Sequence, residues 1–242
     1  MNVEGRNAVF EVINSEKTVD KVFVQNGQRD AESRRLLSAI KMSGVKFVFT
    51  DKSVLDKMSK SGKHQGFIAQ ITDFQYSDED EIIETCVKEQ GVIAVLDGIE
   101  DVHNFGSIIR VCECAGVKGI IIGKRRAASV SDTVMRISEG SLTYVKIAKV
   151  NNINDVVEKM KKAGVWVYAL ELGGENIYKT DLRGAIAFII GGEDTGVNKL
   201  TQKKADRVVS IPMLGKINSL NASVATGVAM FEALRQRTQL GK

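Results

Sequence analysis

The feature that most constrains the fold of this chain is a regular alternation of short apolar strands and helices after residue 90. The pattern predicts strands at 92–96, 119–122, 165–170, 185–190 and 207–211, and helices at 105–115, 130–137, 152–163, 197–204 and 220–236. Short apolar strands that alternate with helices are typical of a mostly parallel sheet with helices on both faces. The sequence therefore predicts an α/β fold, in which ligands bind beyond the carboxyl ends of the strands.

The first 75 residues form a separate region with a different pattern. Strands are predicted at 22–24, 46–49 and 67–71, with a helix at 31–43 that ends at a glycine, and a basic loop at 57–64. This region has 12 basic and 9 acidic residues, whereas the remaining 167 residues have 22 and 21. An acidic stretch, 76–81, follows it. We therefore expect a small, basic α/β domain that is joined to the larger one by a linker.

The composition narrows the class of protein. The formal net charge is +4, which permits nucleic-acid binding without establishing it. No run of 18 apolar residues and no signal peptide is visible, so we expect no membrane segment. The cysteines, Cys86, Cys112 and Cys114, are few and lack the spacing of a metal site. These observations favour a cytoplasmic protein without a bound metal.

The first polar segment, 96–110, links a predicted strand to the helix that follows it. Arg110 lies in the first turns of an otherwise apolar helix, and guanidinium groups suit phosphate or carboxylate recognition. A solvated surface arginine is the alternative. Asn104, earlier in the same segment, has two interpretations as well: a functional side chain, or an ordinary helix N-cap.

The second polar segment, 188–196, contains Gly191, Gly192 and Glu193 after a predicted strand. Paired glycines let a ligand approach the backbone closely. The alternative is a tight turn in which Glu193 and Asp194 begin a helix, where carboxylates are favourable. The chain contains neither GxGxxG nor GxxxxGK[ST], so the common nucleotide-binding signatures are absent.

The third polar segment, 211–227, contains Pro212, which is the only proline in the chain. Ser219 and Asn221 follow it, and both are N-cap residue types, so free backbone N–H groups are expected there. The helix after them is rich in small residues and uncharged until Glu232. Such a helix can be buried against a second copy of the chain, or wholly within one subunit.

In this order, the three segments resemble the three signatures of the SpoU family of RNA 2′-O-ribose methyltransferases, part of the SPOUT superfamily. The matching patterns are Asp-x-x-Asn-x-Gly-x-x-x-Arg at 101–110, Gly-x-Glu-x-x-Gly at 191–196 and Ile-Pro-Met…Ser-Leu-Asn-x-Ser-Val-Ala at 211–225. Two departures are visible. Val102 stands where the family often has proline, and Glu-Gly-Ser at 139–141 differs from a usual stretch of small residues.

The resemblance implies a SpoU methyltransferase domain over residues 91–242, with a deep C-terminal trefoil knot. Residues 1–75 more loosely resemble the family's RNA-binding domain, which is similar to ribosomal protein L30e, through segments 5–9 and 64–66. Residues 76–90 are then the linker. The resemblance also implies a homodimer with the RNA site between subunits.

S-adenosyl-L-methionine is the cofactor that the resemblance implies. The residues assigned to it are Leu170, Gly191, Gly192, Ile211, Leu220 and Asn221. The residues assigned to catalysis are Arg110, Asn104, Glu193, Ser219 and Asn221. Because an arginine has a pKa above about 12, it is a poor literal base. We therefore expect Arg110 to hold the phosphate of the target, with the proton passing to phosphate, water or a transiently neutral guanidine.

The expected activity is 2′-O-methylation of a guanosine in 23S ribosomal RNA, with transfer RNA as the alternative substrate. A non-catalytic RNA-binding module would explain residues 1–75 but would leave the three segments without a role. An α/β enzyme with another nucleotide cofactor is the third possibility, and the missing phosphate-binding signatures count against it.

Overall fold

The computed structural model describes residues 2–15, 17–72, 74–193, 195–216 and 219–238. The chain divides into two compact units. One comprises residues 1–75 with 129–132, and the other comprises residues 76–128 with 133–242. Each unit has its own sheet.

The first unit is a four-stranded mixed sheet with helices; β1, α1 and α3 were not predicted from the sequence. Its elements are β1 (Asn2–Glu4), α1 (Arg6–Ile13), β2 (Thr18–Gln25), α2 (Ala31–Ser43), β3 (Phe47–Thr50), α3 (Lys52–Met58) and β4 (Phe67–Thr72). The strand order is β1-β4-β2-β3, and only the β2–β3 pair is parallel. Helix α2 begins after Asp30, whose side chain accepts a bond from the Ser33 N–H, and ends at Gly44, which has a φ of 74°.

The second unit contains six parallel strands in the order β10-β8-β9-β5-β6-β7. The strands are β5 (Val92–Asp97), β6 (Gly119–Gly123), β7 (Ile147–Val150), β8 (Trp166–Asn176), β9 (Ile186–Gly191) and β10 (Arg207–Ser210). The helices are α4 (Glu79–Glu89), α5 (Val102–Cys114), α6 (Asp132–Ile137), α7 (Ile153–Lys162), α8 (Lys199–Lys204) and α9 (Ala222–Thr238). The parallel α/β prediction is confirmed.

Burial on both faces explains why the central strands are almost entirely apolar. Every residue of β5 is buried, and side chains alternate between the two faces of a sheet. On one face, Ile93 and Val95 join a core to which α4 and α7 contribute. On the other face, α5 packs against α9.

The acidic stretch predicted as the start of a linker forms the first turn of α4. Asp78 caps this helix by accepting the N–H of Asp80, and Glu79 and Glu81 also lie at its N-terminal end. Carboxylates are favourable there because the helix dipole is positive at that end. Three later residues of α4 are buried in the core of the second unit: Ile82, Ile83 and Cys86.

Candidate functional site

One loop follows the carboxyl end of β9 and is held by β5 and β8; it comprises residues 192, 193 and 195–198, and we call it the glycine loop. A carboxylate oxygen of Asp97 accepts the N–H of Asn198 at 3.0 Å, and the main-chain oxygen of Asp97 accepts the N–H of Gly192 at 3.1 Å. From β8, Glu171 accepts the N–H of Val197 at 2.9 Å. Two carboxylates, that of Asp97 at the end of β5 and that of Glu171 within β8, therefore fix the backbone of this loop.

Close packing of this loop explains the paired glycines. A Cβ atom on Gly191 would lie 2.0 Å from the carbonyl carbon of Gly196, and one on Gly192 would lie 2.4 Å from the carbonyl oxygen of Gly98. The sequence interpretation assigned the close approach to a ligand, but the neighbour at both positions is the backbone of the chain itself. A side chain at either position would displace the loop.

Three side chains from the three polar segments meet beside this loop. Asn104 Nδ2 donates to Glu193 Oε1 at 2.9 Å, and Asn221 Nδ2 donates to the same oxygen at 2.6 Å. Asn221 Nδ2 also lies 2.9 Å from Asn104 Oδ1. We call this group the amide–carboxylate cluster. It brings together three of the five residues predicted to act in catalysis.

Asn104 is not the helix cap, contrary to the alternative interpretation. Helix α5 is capped by Asp101, whose side chain accepts the N–H of Asn104 at 2.8 Å. Asn104 is therefore inside the first turn, where its amide can reach Glu193. The alternative interpretation of the second segment placed Glu193 and Asp194 at the start of a helix. Glu193 does not start α8, which begins at Lys199, and Asp194 lies outside the described residues.

Asn221 has a second function as the cap of α9. Its Oδ1 accepts the N–H groups of Ser223 at 2.9 Å and Val224 at 3.4 Å. The N–H groups of Ser223 and Val224 are therefore not free, contrary to the expectation for this segment, because Asn221 caps them. Because Oδ1 binds the helix and Nδ2 binds Glu193, the orientation of this amide is fixed from both ends.

Two clefts border the cluster and share Gly192 and Glu193. The first is lined by Leu170, Glu171, Leu172, Ile190, Gly191, Gly192, Glu193, Gly196, Ile211, Met213, Ser219, Leu220, Ala222 and Ala225. The second is lined by Gly98, Ile99, Glu100, Asp101, Asn104, Gly192, Glu193 and Thr195.

The first cleft gathers most of the residues that the resemblance assigned to a cofactor. Five of them line it, namely Leu170, Gly191, Gly192, Ile211 and Leu220, and Ser219 lines it too. Asn221, the sixth, contacts Glu193 at the edge of the cleft. Sequence reasoning missed Leu172 and Met213 on the same wall. The position of Met213 beside Pro212, within the third segment, was the available signal.

Arg110 lies elsewhere. Its Nη1 is 3.0 Å from Glu139 Oε1, and the two side chains are 54% and 63% exposed. Among the residues that the structure describes, Arg110 lines neither cleft. Within one copy of the chain, the described partner of the predicted catalytic arginine is therefore Glu139 and not a member of the amide–carboxylate cluster.

In the first unit, Glu4 organises the loop 59–63, which carries basic side chains. Its carboxylate accepts bonds from the Ser59 hydroxyl, the Ser61 hydroxyl and the Lys60 N–H. These bonds, led by that from Ser59, lower the pKa of Glu4 from its ordinary value of 4.5 to about 2. Lys60 and Lys63 are exposed on this loop, and Lys57 is exposed at the end of α3. The loop is therefore a preformed basic surface.

The described ranges contain neither a candidate metal site nor a candidate membrane-spanning helix. No group of three or more His, Cys, Asp or Glu side chains in those ranges could hold a metal ion. Likewise, none of the described helices is both long and apolar enough to cross a membrane.

Comparison with known proteins gives matches along almost the whole chain. Residues 91–231 match the SpoU rRNA Methylase family, and residues 2–77 match a family described as RNA 2′-O ribose methyltransferase substrate binding. A protein of Staphylococcus haemolyticus that is named as a TrmH family tRNA/rRNA methyltransferase is 36% identical to this chain. The match covers 99% of this chain and 97% of that protein. The similarly named YacO of Bacillus subtilis is 33% identical with the same coverage.

Solved structures give the same fold. The SpoU methyltransferase AviRb from Streptomyces viridochromogenes, in complex with AdoMet, has a TM-score of 0.63 and 24% identity over 99% of this chain and 91% of its own. A TrmH/SpoU tRNA modifying enzyme from A. aeolicus has a TM-score of 0.58 and 30% identity over 67% of this chain and 84% of its own. These likenesses confirm the predicted fold class. Because the SpoU family model matches more than half of the chain, the chain belongs to the SpoU family of RNA 2′-O-ribose methyltransferases.

Proposed function

We propose that this protein transfers a methyl group from S-adenosyl-L-methionine to the 2′-hydroxyl of a guanosine in 23S ribosomal RNA. The observation that carries the proposal is the amide–carboxylate cluster, because it lies where a mainly apolar cleft and a polar cleft meet. A nucleoside cofactor in the first cleft and a ribose in the second would both border Glu193.

The first cleft suits S-adenosyl-L-methionine in the chemistry of its walls. Leu170, Ile211 and Leu220 offer apolar side chains to a base, and Gly191 contributes backbone without a side chain. Ser219, on the same wall, offers a hydroxyl to the polar part of the ligand. When bound, the cofactor supplies a methyl group that is already activated as a sulfonium.

The chain's own residues must position the hydroxyl and remove its proton. A ribose hydroxyl is a poor nucleophile at neutral pH, so placement and proton transfer are the main requirements. Asn104 and Asn221 hold Glu193 by two hydrogen bonds, which their side-chain amides donate to the same carboxylate oxygen. Held in this way, Glu193 accepts a hydrogen bond from the ribose, while Ser219 orients the cofactor.

Arg110 acts on the phosphate next to the target ribose, and a second copy of the chain brings it to the site. A guanidinium binds phosphate through a planar fork of donors, and the proton passes to phosphate, water or a transiently neutral guanidine. Arg110 lies outside both clefts of its own subunit, in the described part of the chain, so a homodimer would complete the site. Val224 and Phe231 are about half exposed on α9, offering an apolar contact.

The first unit is proposed to bind the RNA. It carries most of the basic excess, and the loop organised by Glu4 presents Lys60 and Lys63. We assign the substrate to ribosomal RNA because of the L30e-like start and the two-domain organisation. The sparse cysteines, which form no disulfide, fit a cytoplasmic location.

The test is a map of 2′-O-methyl groups in RNA from a strain that lacks the gene. We expect one guanosine of 23S ribosomal RNA to lose its methyl group and to regain it when the gene is restored. Loss confined to a transfer RNA would assign the alternative substrate. An unchanged map in both RNA classes would contradict the proposal.

A further inference from the structure

We propose that Glu139 is a positioning residue that orients Arg110 for the reaction, an inference that rests on the proposed function of Arg110. The two side chains form an ion pair with an N–O distance of 3.0 Å. Glu139 lies just after α6 ends at Ile137, and it places a carboxylate on the guanidinium of the proposed phosphate-binding residue.

The turn that presents Glu139 has an unusual backbone. Glu139 has a φ of +47°, in the left-handed region that residues with a Cβ rarely adopt, and Gly140 has a φ of +86°. The turn is closed by bonds from Glu139 N to Arg136 O at 3.3 Å and from Ser141 N to Ser138 O at 3.0 Å. A glycine would adopt this conformation at lower cost, yet a glutamate occupies it.

Packing fixes the separation between the two partners. Arg110 is on α5, and Glu139 follows α6. Gly106 of α5 is so close to Ile137 of α6 that a Cβ atom on Gly106 would lie 2.6 Å from Ile137 Cγ2. Buried Ser138 follows directly and donates from its hydroxyl to the Met135 carbonyl at 3.0 Å. The carboxylate is thus presented to Arg110 from a rigid base.

The energetics of the pair favour positioning over stabilisation. Both side chains are more than half exposed, and ion pairs with such exposure add little to stability. An arginine side chain in solvent has many rotamers, and one bond to Nη1 restricts them while the guanidinium keeps further donors for a phosphate. Because that orientation exists before RNA binds, less conformational freedom is lost in the transition state.

The experiment uses the full-length protein with Glu139→Gln, which removes the charge, and Glu139→Gly, which also relieves the left-handed backbone. Both should lower kcat at saturating RNA about tenfold and leave the KM for S-adenosyl-L-methionine unchanged. Glu139→Gly should melt no lower than wild type, so misfolding cannot explain its loss. Glu175→Gln is the matched control, because Glu175 pairs with the similarly exposed Arg207, and it should keep wild-type kcat.

Arg110→Ala, alone and combined with Glu139→Gln, separates this inference from the proposed function. If Glu139 acts through Arg110, the double variant should be no slower than Arg110→Ala. Wild-type or raised kcat in both Glu139 variants, beside an inactive Arg110→Ala, would overturn the positioning role alone. Full turnover by Arg110→Ala would instead overturn the proposed function of the arginine itself.

Discussion

Asn221 donates from Nδ2 to Oε1 of Glu193 at 2.6 Å, which joins two residues that are 28 positions apart in the chain. The same amide caps α9 through its oxygen. The position of the glycine loop that carries Glu193 and the start of the last helix are therefore coupled through one side chain. Because the two ends of the Asn221 amide make different contacts, a substitution that keeps the helix cap but loses the bond to Glu193 can separate the effect on stability from the effect on catalysis.

Asn221→Ser should separate them. Serine is an effective N-cap, so the free energy of unfolding should stay near that of wild type, but its short side chain cannot bind Glu193 in the same way. We expect methyl transfer to fall at least tenfold, which corresponds to about 1.4 kcal/mol in the activation free energy. Asn221→Ala should show the same loss and, in addition, a stability loss of about 1 kcal/mol. Denaturant unfolding and single-turnover kinetics measure the two effects. A Ser variant with wild-type turnover would remove the cluster from the reaction.

Homodimerisation should be visible in light scattering as a mass of about twice 26.5 kDa at micromolar concentration. Val224→Glu with Phe231→Glu should shift the mass toward the monomer, because both side chains are half exposed on α9 and charge at such a contact is unfavourable. Activity should be lost together with the dimer. A monomer with full activity would refute the shared site.

RNA affinity should depend on salt through the basic loop. Replacing Lys57, Lys60 and Lys63 by glutamine should weaken binding. It should also reduce the slope of log affinity against log salt concentration. Each lost phosphate contact reduces this slope by roughly 0.7 to 0.9, so the loss of three contacts should reduce it by about 2 to 3. Titrations of the same RNA at several salt concentrations provide the measurement. If the two titrations overlay, the loop is a solvated turn.

Acid should reveal the contribution of Glu4 to the stability of the first unit. Its pKa in the folded protein, about 2, is below its ordinary value of 4.5, so folding favours the ionised form. The stability that it contributes is complete above about pH 4.5 and is lost as the pH falls toward 2. Glu4→Gln should therefore be destabilised at pH 7, with the difference from wild type shrinking in acid. Unfolding curves that stay equally far apart from pH 7 to pH 3 would contradict this assignment.

The sequence predicted the parallel sheet because strands buried on both faces must be mainly apolar, as β5 is from Val92 to Leu96. It did not predict α4, since the acidic residues that look like a linker are also the residues favoured in the first turn of a helix. Local pattern alone could not distinguish these two. The trefoil knot stays a prediction from the resemblance, because threading leaves no trace in hydrophobic periodicity.

For the site, the sequence motifs identified the polar residues near the strand ends, whereas only the folded structure shows which of them are in contact. The cluster of Asn104, Glu193 and Asn221 could be expected from the three motifs, but the bonds among them depend on tertiary structure. The contact between Arg110 and Glu139 could not be found from spacing, because it depends on how α5 and α6 pack. The glycines were expected for a ligand, whereas they accommodate the chain's own loop.

Methylation of ribose 2′-hydroxyls by this chain, with Arg110 in the reaction, can be measured directly. The most direct measurement is transfer of label from methyl-tritiated S-adenosyl-L-methionine to unmodified 23S ribosomal RNA, followed by alkaline hydrolysis. We expect label in alkali-resistant dinucleotides for wild type. The rate should be at least a hundredfold lower for Arg110→Ala, a loss of about 3 kcal/mol. Arg110→Lys should rescue transfer poorly, and the exposed control Arg183→Ala should transfer label at the wild-type rate. Label recovered only in mononucleotides, or equal rates for wild type and Arg110→Ala, would contradict the proposed function.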